Sequence, residues 1–509
     1  MEGRASRHND IPVPARDGLV DLPVRAPEGY VRAPIELGRS ARRSRKGLTV
    51  SLLIASDCLF AVCFWVMSYV LYGTLVAGQF PAVAPSVVAF NIAAWIMFRA
   101  LVGLYPGYGL GEAEELRRQT YATVVNLAVT VFFAFSIGLG GQELPLLLLG
   151  LNFLHRLLLA PLTRYLAKSA LSRAGLWGEP VVICGAGETG QRLIRTLTEE
   201  WGLGYKPVAV FDNQLAPVSG EFEGVPYGGS VSDALPVGRK YGINTLIFAT
   251  PHTRREHLSK FVELMRPAFR RVMVIPNLGG ITNSAVVARD FGGIFGVEIR
   301  HNLLDPWAQR SKRALDLLAT IVGGIFVLPI ILVLCLLVWL ETRGSIFYAD
   351  KRLGKDAKLF PCLKFQTMVP DAEALLQRML ATDEKLRGEY VTYHKLRNDP
   401  RVTRVGRFLR KTSLDELPQL WNVLRGEMSL VGPRPYLPRE SAEIGKTQKE
   451  ILRVMPGMTG PWQVSGRNNT SFQERVNMDA VYVHNWSVWI DLVLVARTVK
   501  ILIFRAGAY

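Results

Sequence analysis

A largely apolar core of 26 residues from Leu315 to Leu340, with Pro329 near its middle, constrains this chain more than any other feature. As a straight helix it is about 39 Å long, enough to cross a bilayer. A proline in a helix interior removes a backbone hydrogen bond and kinks or breaks the helix. Two paths follow. The segment is a kinked span, which puts all later residues outside the cell. Or it enters, turns at Pro329 and leaves by the same face. Composition alone leaves both open.

Four further apolar stretches precede it, at about 48–72, 83–103, 120–140 and 144–163. Each is close to the ~20 residues of a membrane helix. "RRSRKG" at 42–47 comes before the first, and Arg164, Lys168 and Arg173 follow the fourth. The positive-inside rule therefore places both ends of the block in the cytosol. His155 and Arg156 fall inside the fourth stretch, an ionisable pair that is unusual within a span. Residues 1–46 are polar and rich in Pro and Arg, and read as a disordered basic tail rather than a signal peptide.

The full chain has 509 residues, is 49% hydrophobic and carries a net charge of +17. That length exceeds one core, and that apolar share fits membrane segments. Residues 310–509 hold 30 Lys and Arg against 19 Asp and Glu. Such a surface favours anionic lipid head groups, nucleotides or nucleic acid. Five scattered cysteines form no CxxC pair, so neither a disulfide framework nor a zinc site is expected.

"EPVVICGAGETGQRLIRTL" reads as strand, glycine turn and helix, with Gly185, Gly187 and Gly190 in the turn. "PVAVFD" then suggests a second strand ending at Asp212, at the spacing of an acid that binds a ribose hydroxyl. A Rossmann-like α/β domain is expected over 178–300. NAD(P) or another nucleotide fits that turn, but the glycines serve plain strand–helix packing equally well. No Tyr-x-x-x-Lys pair follows.

"TSLDELPQLWN", residues 412–422, sets Asp415 beside Glu416. Ser413 and Glu416 fit a capping box, and acids in a first turn complement the helix dipole. Locally this structural reading is the stronger. Its surroundings add weight to chemistry. Arg401, Arg404, Arg407 and Arg410 recur every third residue before the acids, Lys364 lies in "CLKFQTM", and Arg434 and Arg467 sit in Gly- and Pro-rich loops. An arginine ladder is often only a solvated or lipid-facing helix side. Next to two carboxylates it also suits a phosphoanhydride with a metal, because arginine grips phosphate at two points and adjacent acids suit Mg²⁺. A Walker A loop and a Ser-His-Asp arrangement are absent.

"LKFQTM", "RKTSLDELPQLWNVLRGEMSLVGPRP", "PGMTGPWQVSGRN" and the closing "NWSVWIDLVLVARTVKILIFRAGAY" resemble the bacterial sugar transferases, the polyprenyl-phosphate hexose-1-phosphate transferases. The match covers about 310–509. The preceding membrane block (47–170) and α/β domain are similar to the long members. The resemblance implies a membrane protein combining α and α/β parts. It has four membrane helices, a Rossmann-like domain, and a mixed α/β catalytic domain whose helix 312–341 re-enters at Pro329. It implies transfer of a hexose-1-phosphate, galactose before glucose, from a UDP-hexose to undecaprenyl phosphate with release of UMP. On this basis Asp415 is the nucleophile, Glu416 (with Asp415) holds Mg²⁺, and Lys364, Arg410, Arg434 and Arg467 bind phosphate. It further implies a homodimer at the bacterial inner membrane, with a cytosolic active site, anionic lipid contacts and no nucleic-acid partner. Gln366 and Leu328 depart from the family pattern, which often has arginine and serine there. Two other functions remain for comparison: a membrane-anchored nucleotide-sugar oxidoreductase or epimerase, and a non-catalytic scaffold.

Overall fold

The computed structural model describes residues 46–504 except 77, 79, 82, 137–145, 218–219, 251–254, 276–285, 291–294, 300–305, 383–386, 388–398 and 466–469. The proposed tail therefore lies outside the described residues, apart from Lys46. The chain forms two compact units, residues 1–277 and 278–509.

The first unit opens with helices α1 (Lys46–Leu75), α2 (Pro85–Leu101), α3 (Glu112–Ser136) and α4 (Leu146–Arg173). By length and apolar composition α1, α3 and α4 can each cross a membrane, whereas α2 has only 17 residues. Helix α3 begins eight residues before the expected apolar stretch, because Glu112, Glu114 and Glu115 occupy its first turn and favour the positive end of its dipole. Helix α4 runs through Pro161 to Arg173, so His155 and Arg156 lie well within it.

The block is apolar outside and polar inside. Phe132 is 73% exposed and Leu158 64%, while Asn91, Asn126, Thr130 and Arg156 are buried. The Trp65 indole N–H donates to Asn91 Oδ1 at 2.9 Å, and Asn91 Nδ2 donates to Asn126 Oδ1 and Thr130 Oγ1 at 3.0 and 2.8 Å. In lipid this arrangement satisfies polar groups that hydrocarbon cannot.

After α4 the chain enters a parallel sheet of β1 (Glu179–Cys184), β2 (Tyr205–Phe211), β5 (Thr245–Phe248) and β6 (Arg271–Val274), in the order β2-β1-β5-β6. A two-residue hairpin, β3 (Glu221–Phe222) with β4 (Val225–Pro226), lies between β2 and β5. Alternate strand residues face two separate layers. Val182, Cys184, Phe211 and Leu246 pack with Ala234 of α6 (Ala234–Tyr241) and Phe261 and Met265 of α7 (Arg255–Met265). Val181, Ile183, Val210 and Ile247 pack with Ile194 and Leu197 of α5 (Glu188–Glu199). This is a doubly wound α/β domain. Its third main strand crosses to the far side of β1, the flavodoxin-type order rather than that of a dinucleotide-binding half.

The second unit has a hairpin of β7 (Val286–Asp290) and β8 (Phe295–Ile299), then α8 (Pro306–Thr342). Helix α8 contains Pro329 and continues through it, where a break was expected. Its 37 residues give a contour of about 55 Å. It too is long and apolar enough to cross a membrane. Most of its apolar surface is bare, including Phe326 at 75% exposed, whereas Leu334 and Val338 are buried against Phe365 and Leu409.

The rest of the unit packs against α8 near both of its ends. It comprises the antiparallel pair β9 (Phe347–Leu353) and β10 (Leu359–Phe365), α9 (Ala372–Thr382), α10 (Arg404–Thr412), α11 (Gln419–Arg425), the parallel pair β11 (Ser429–Val431) and β12 (Gly457–Thr459), α12 (Phe472–Asn485) and α13 (Val488–Phe504). Polar contacts fasten α8 to it. Lys312 Nζ donates to Asp491 at 2.6 Å, Arg313 donates to the Val423 and Leu424 carbonyls at the end of α11, and Asp316 accepts from the Ser429 hydroxyl at 2.7 Å.

Candidate active site

The acids sit in a single 3₁₀ turn, Leu414–Glu416, between α10 and α11. Ser413 enters that turn with φ of 58°, in the left-handed region, and its side chain caps nothing. The capping box is therefore absent. Ser413 instead ends α10, and the Glu416 N–H meets the Ser413 main-chain carbonyl at 3.4 Å. The left-handed residue ends α10 and starts the turn that carries both acids. Leu414 and Leu417 anchor the turn in the cluster around Leu334, Phe365 and Leu409.

Strand β10 brings Lys364 to this turn. Its Nζ lies 2.7 Å from Glu416 Oε1, with each side chain about one-third exposed. Burial works against the lysine charge, but Glu416 and then Asp415 outweigh it and raise the Lys364 pKa. Asp415 is half-buried, and its pKa is raised first by burial and then by the Glu416 charge, with Lys364 and Arg410 pulling the other way. Among the described residues no side chain forms a hydrogen bond or ion pair with the Asp415 carboxylate. One acid is held by a cation, and its neighbour is left open.

Several residues that sequence reasoning passed over hold this arrangement. Asn422 of α11 is fully buried. Its Oδ1 accepts from the Leu363 N–H at 3.0 Å and its Nδ2 donates to the Pro361 carbonyl at 2.8 Å, fixing β10 beside Lys364. Thr367 Oγ1 accepts from Arg410 Nε at 3.0 Å. Gly406 packs so tightly that an added Cβ would lie 2.2 Å from the Thr367 carbonyl. At the far end of α8, Glu341 accepts from the Arg404 and Val405 N–H groups at 2.7 and 2.8 Å, covering the start of α10. The available signals were an asparagine within an apolar run and an acid closing one.

The arginine ladder has divided uses. Arg401 is buried and pairs with Asp399 at 2.7 Å, whereas Arg404 and Arg407 are exposed. Arg434 lies 3.6 Å from Glu440, with Cζ 5.4 Å from the Trp462 ring centroid. Its loop is held by buried Asp479, whose Oδ2 accepts from the Arg434 N–H at 3.0 Å and the Tyr436 hydroxyl at 2.8 Å. The structure thus gathers Lys364, Arg410, Asp415 and Glu416, while the described contacts of Arg434 run to Glu440, Trp462 and Asp479. Arg467 lies outside the described residues.

In the first unit, Gly185 has φ of +109°, and an added Cβ at Gly190 would come within 1.9 Å of the Gly185 carbonyl. Both glycines are required for packing the strand–helix turn itself. Gly187 starts α5 in open space. Asp212, expected at a ribose, accepts from the Ala186 N–H at 2.7 Å through Oδ2 and from the Gln214 and Leu215 N–H groups through Oδ1. Its carboxylate already holds the chain's own turn.

Residues 307–505 match the model of the bacterial sugar transferase family. The UDP-galactose-lipid carrier transferase of Erwinia amylovora is 34% identical over 406 residues, covering 78% of this chain and 82% of that protein. The chain belongs to the bacterial sugar transferases. Other members of the family extend the likeness. The undecaprenyl-phosphate galactose phosphotransferase of Salmonella typhimurium is 37% identical, covering 69% of this chain and 74% of its own. The UDP-glucose:undecaprenyl-phosphate glucose-1-phosphate transferase of Klebsiella pneumoniae is 30% identical, covering 69% and 73%. In this sugar transferase, residues 101–276 match a second family model, a CoA-binding domain. The sugar transferase match contains the whole Lys364–Asp415–Glu416 arrangement.

Proposed function

We propose that this enzyme transfers a hexose-1-phosphate, galactose-1-phosphate in first place, from a UDP-hexose to undecaprenyl phosphate, releasing UMP. It is an undecaprenyl-phosphate sugar phosphotransferase starting a surface polysaccharide such as O-antigen, capsule or exopolysaccharide. The observation that carries the reading is an open carboxylate, Asp415, beside one already engaged, Glu416 with Lys364 at 2.7 Å.

An Asp415 oxygen attacks the sugar-bearing phosphorus. The bond from that phosphorus to the bridging oxygen breaks, and UMP leaves with the bond's electrons. An oxygen of undecaprenyl phosphate then attacks the same phosphorus and frees Asp415, giving undecaprenyl diphosphate hexose. Covalent catalysis lets two bulky substrates use one site in turn. Lys364, Arg410 and Arg434 are assigned to the phosphoryl oxygens, where fixed cations offset developing charge.

Two adjacent hard carboxylates suit Mg²⁺, which characteristically takes one or two protein acids plus substrate phosphates. Asp415 and Glu416 would hold it, and when bound it neutralises diphosphate charge.

The active site belongs at the cytosolic face of the inner membrane, where nucleotide sugars are found, with α8 entering and leaving on that side and the enzyme working as a dimer. An oxidoreductase or epimerase is not favoured, because Asp212 is committed to its own turn. A UMP-release screen across UDP-sugars, with and without undecaprenyl phosphate and Mg²⁺, tests the reading. UDP-galactose should give the fastest release; none from any UDP-sugar would overturn it.

A further inference from the structure

The four-helix block buries more positive charge than its own acids balance. Arg99, Arg156, Arg164 and Lys168 are each no more than 3% exposed. Their carboxylate partners are Asp57, 3.1 Å from Arg99 and 3.6 Å from Arg164, and Glu115, 2.6 Å from Lys168 and 3.4 Å from Arg164. Arg156 has no carboxylate partner among the described residues. Its Nη1 donates to Asn126 Oδ1 at 2.8 Å, and its Cζ lies 4.6 Å from the Trp95 ring centroid. Arg99 lies over the same ring at 4.7 Å.

The unsatisfied groups here share one character. Arg156 Nε and Nη2, Arg99 Nη2, Trp95 Nε1 and Asn152 Nδ2 are buried without a hydrogen-bond partner. All are donors. Burying one unpaired charge and several unpaired donors in a membrane is costly, and such groups mark functional sites. A water molecule would bring donors of its own to a place short of acceptors. A group that is negative and only accepts meets both needs. Paired guanidinium groups favour an oxyanion, which they grip at two points.

We infer that the interior of this helix block binds a phosphoryl group between Arg99, Arg156 and Trp95. Arg99 ends α2, Glu115 begins α3, and Lys168 lies near the end of α4, so these charges share one end of the block. Arg156 is two turns deeper than Arg164, about 12 Å along α4. The phosphoryl group therefore enters from that end. It arrives either on a lipid or as a free ion; the chemistry is the same. The inference is independent of the transferase reading, since none of these residues serves the Asp415 site.

The full chain, purified in detergent with gluconate as the only small anion, provides the test. Inorganic phosphate is titrated in one arm and dihexanoyl phosphatidic acid in the other, with chloride at equal ionic strength as reference. Tm should rise by on the order of 5 °C at a hundredfold excess over Kd in at least one arm. Native mass spectrometry should show a phosphate or phospholipid adduct that survives activation, its mass naming the source. Arg156→Met should raise Tm in gluconate and abolish both the response and the adduct. A purely structural arginine would instead give a less stable variant and an unresponsive wild type. If Arg156→Met does not fold, the wild type decides alone. No shift with no adduct, or a shift matched by chloride, overturns the inference.

Discussion

Lys364 and Glu416, 52 positions apart in the chain, meet at 2.7 Å, and this contact leaves Asp415 as the open acid of the pair. The two neighbouring carboxylates differ because only Glu416 forms the ion pair with Lys364 of β10. The two acids thus differ in setting by which side chain the lysine meets, rather than by residue type.

Asp415→Asn should lower UMP release by at least about 10³-fold, as expected for loss of a nucleophile, with Tm nearly unchanged. Because burial and the Glu416 charge raise the Asp415 pKa, the wild-type kcat/KM should fall as pH drops through that raised value. Turnover by Asp415→Asn within tenfold of wild type would remove Asp415 from the mechanism.

Lys364→Met should cost activity far more than stability. The ion pair is about one-third exposed, so solvent screening limits its stabilising effect to about 1 kcal/mol or less. The substitution also leaves Glu416 without its cation beside Asp415. A loss of roughly 10²-fold in kcat is expected from removing one fixed phosphoryl cation, read by initial rates alongside a denaturant melt.

Asn422→Ala tests positioning. It removes the partner of the half-buried Leu363 N–H and of the Pro361 carbonyl, at a cost of roughly 1–2 kcal/mol. Since β10 carries Lys364, kcat should fall while KM for the UDP-sugar changes little. Denaturation midpoints and steady-state kinetics separate the two effects.

Asp479 predicts a pH signature. Burial raises its pKa to about 7 from an ordinary 3.8. A carboxyl whose folded pKa lies above its unfolded value takes up protons on folding, so stability declines as pH rises between those values. The wild type should lose stability from about pH 4 to pH 7, and Asp479→Asn should flatten that decline. An unchanged slope in the variant, followed by thermal melts across that range, would assign the dependence elsewhere.

Much of this site was legible in the sequence because the motif is local: Asp415, Glu416 and Arg410 lie within seven residues. The capping box was misread because its spacing suits both an N-cap and a left-handed helix end, and only the Ser413 φ of 58° separates them. Asn422 and Glu341 were hidden because their partners lie 59 and 63 positions away. In the α/β domain the strands were readable from their apolar runs. Their order was not, since crossing to one side of β1 or the other leaves no mark on periodicity. In the membrane block, hydropathy located the helices, and His155 and Arg156 stood out within the fourth, but Arg164 and Lys168 read as following a helix that in fact runs on to Arg173.

Glu341 stands one residue from the end of α8, and its carboxylate grips the first two N–H groups of α10, the helix that leads into Asp415. The apolar helix and the candidate reaction centre are therefore joined through one side chain. Bilayer thickness bears on how an apolar helix sits in lipid. Acyl-chain length should then change the rate of phosphosugar transfer, read as UMP release in bilayers of different thickness.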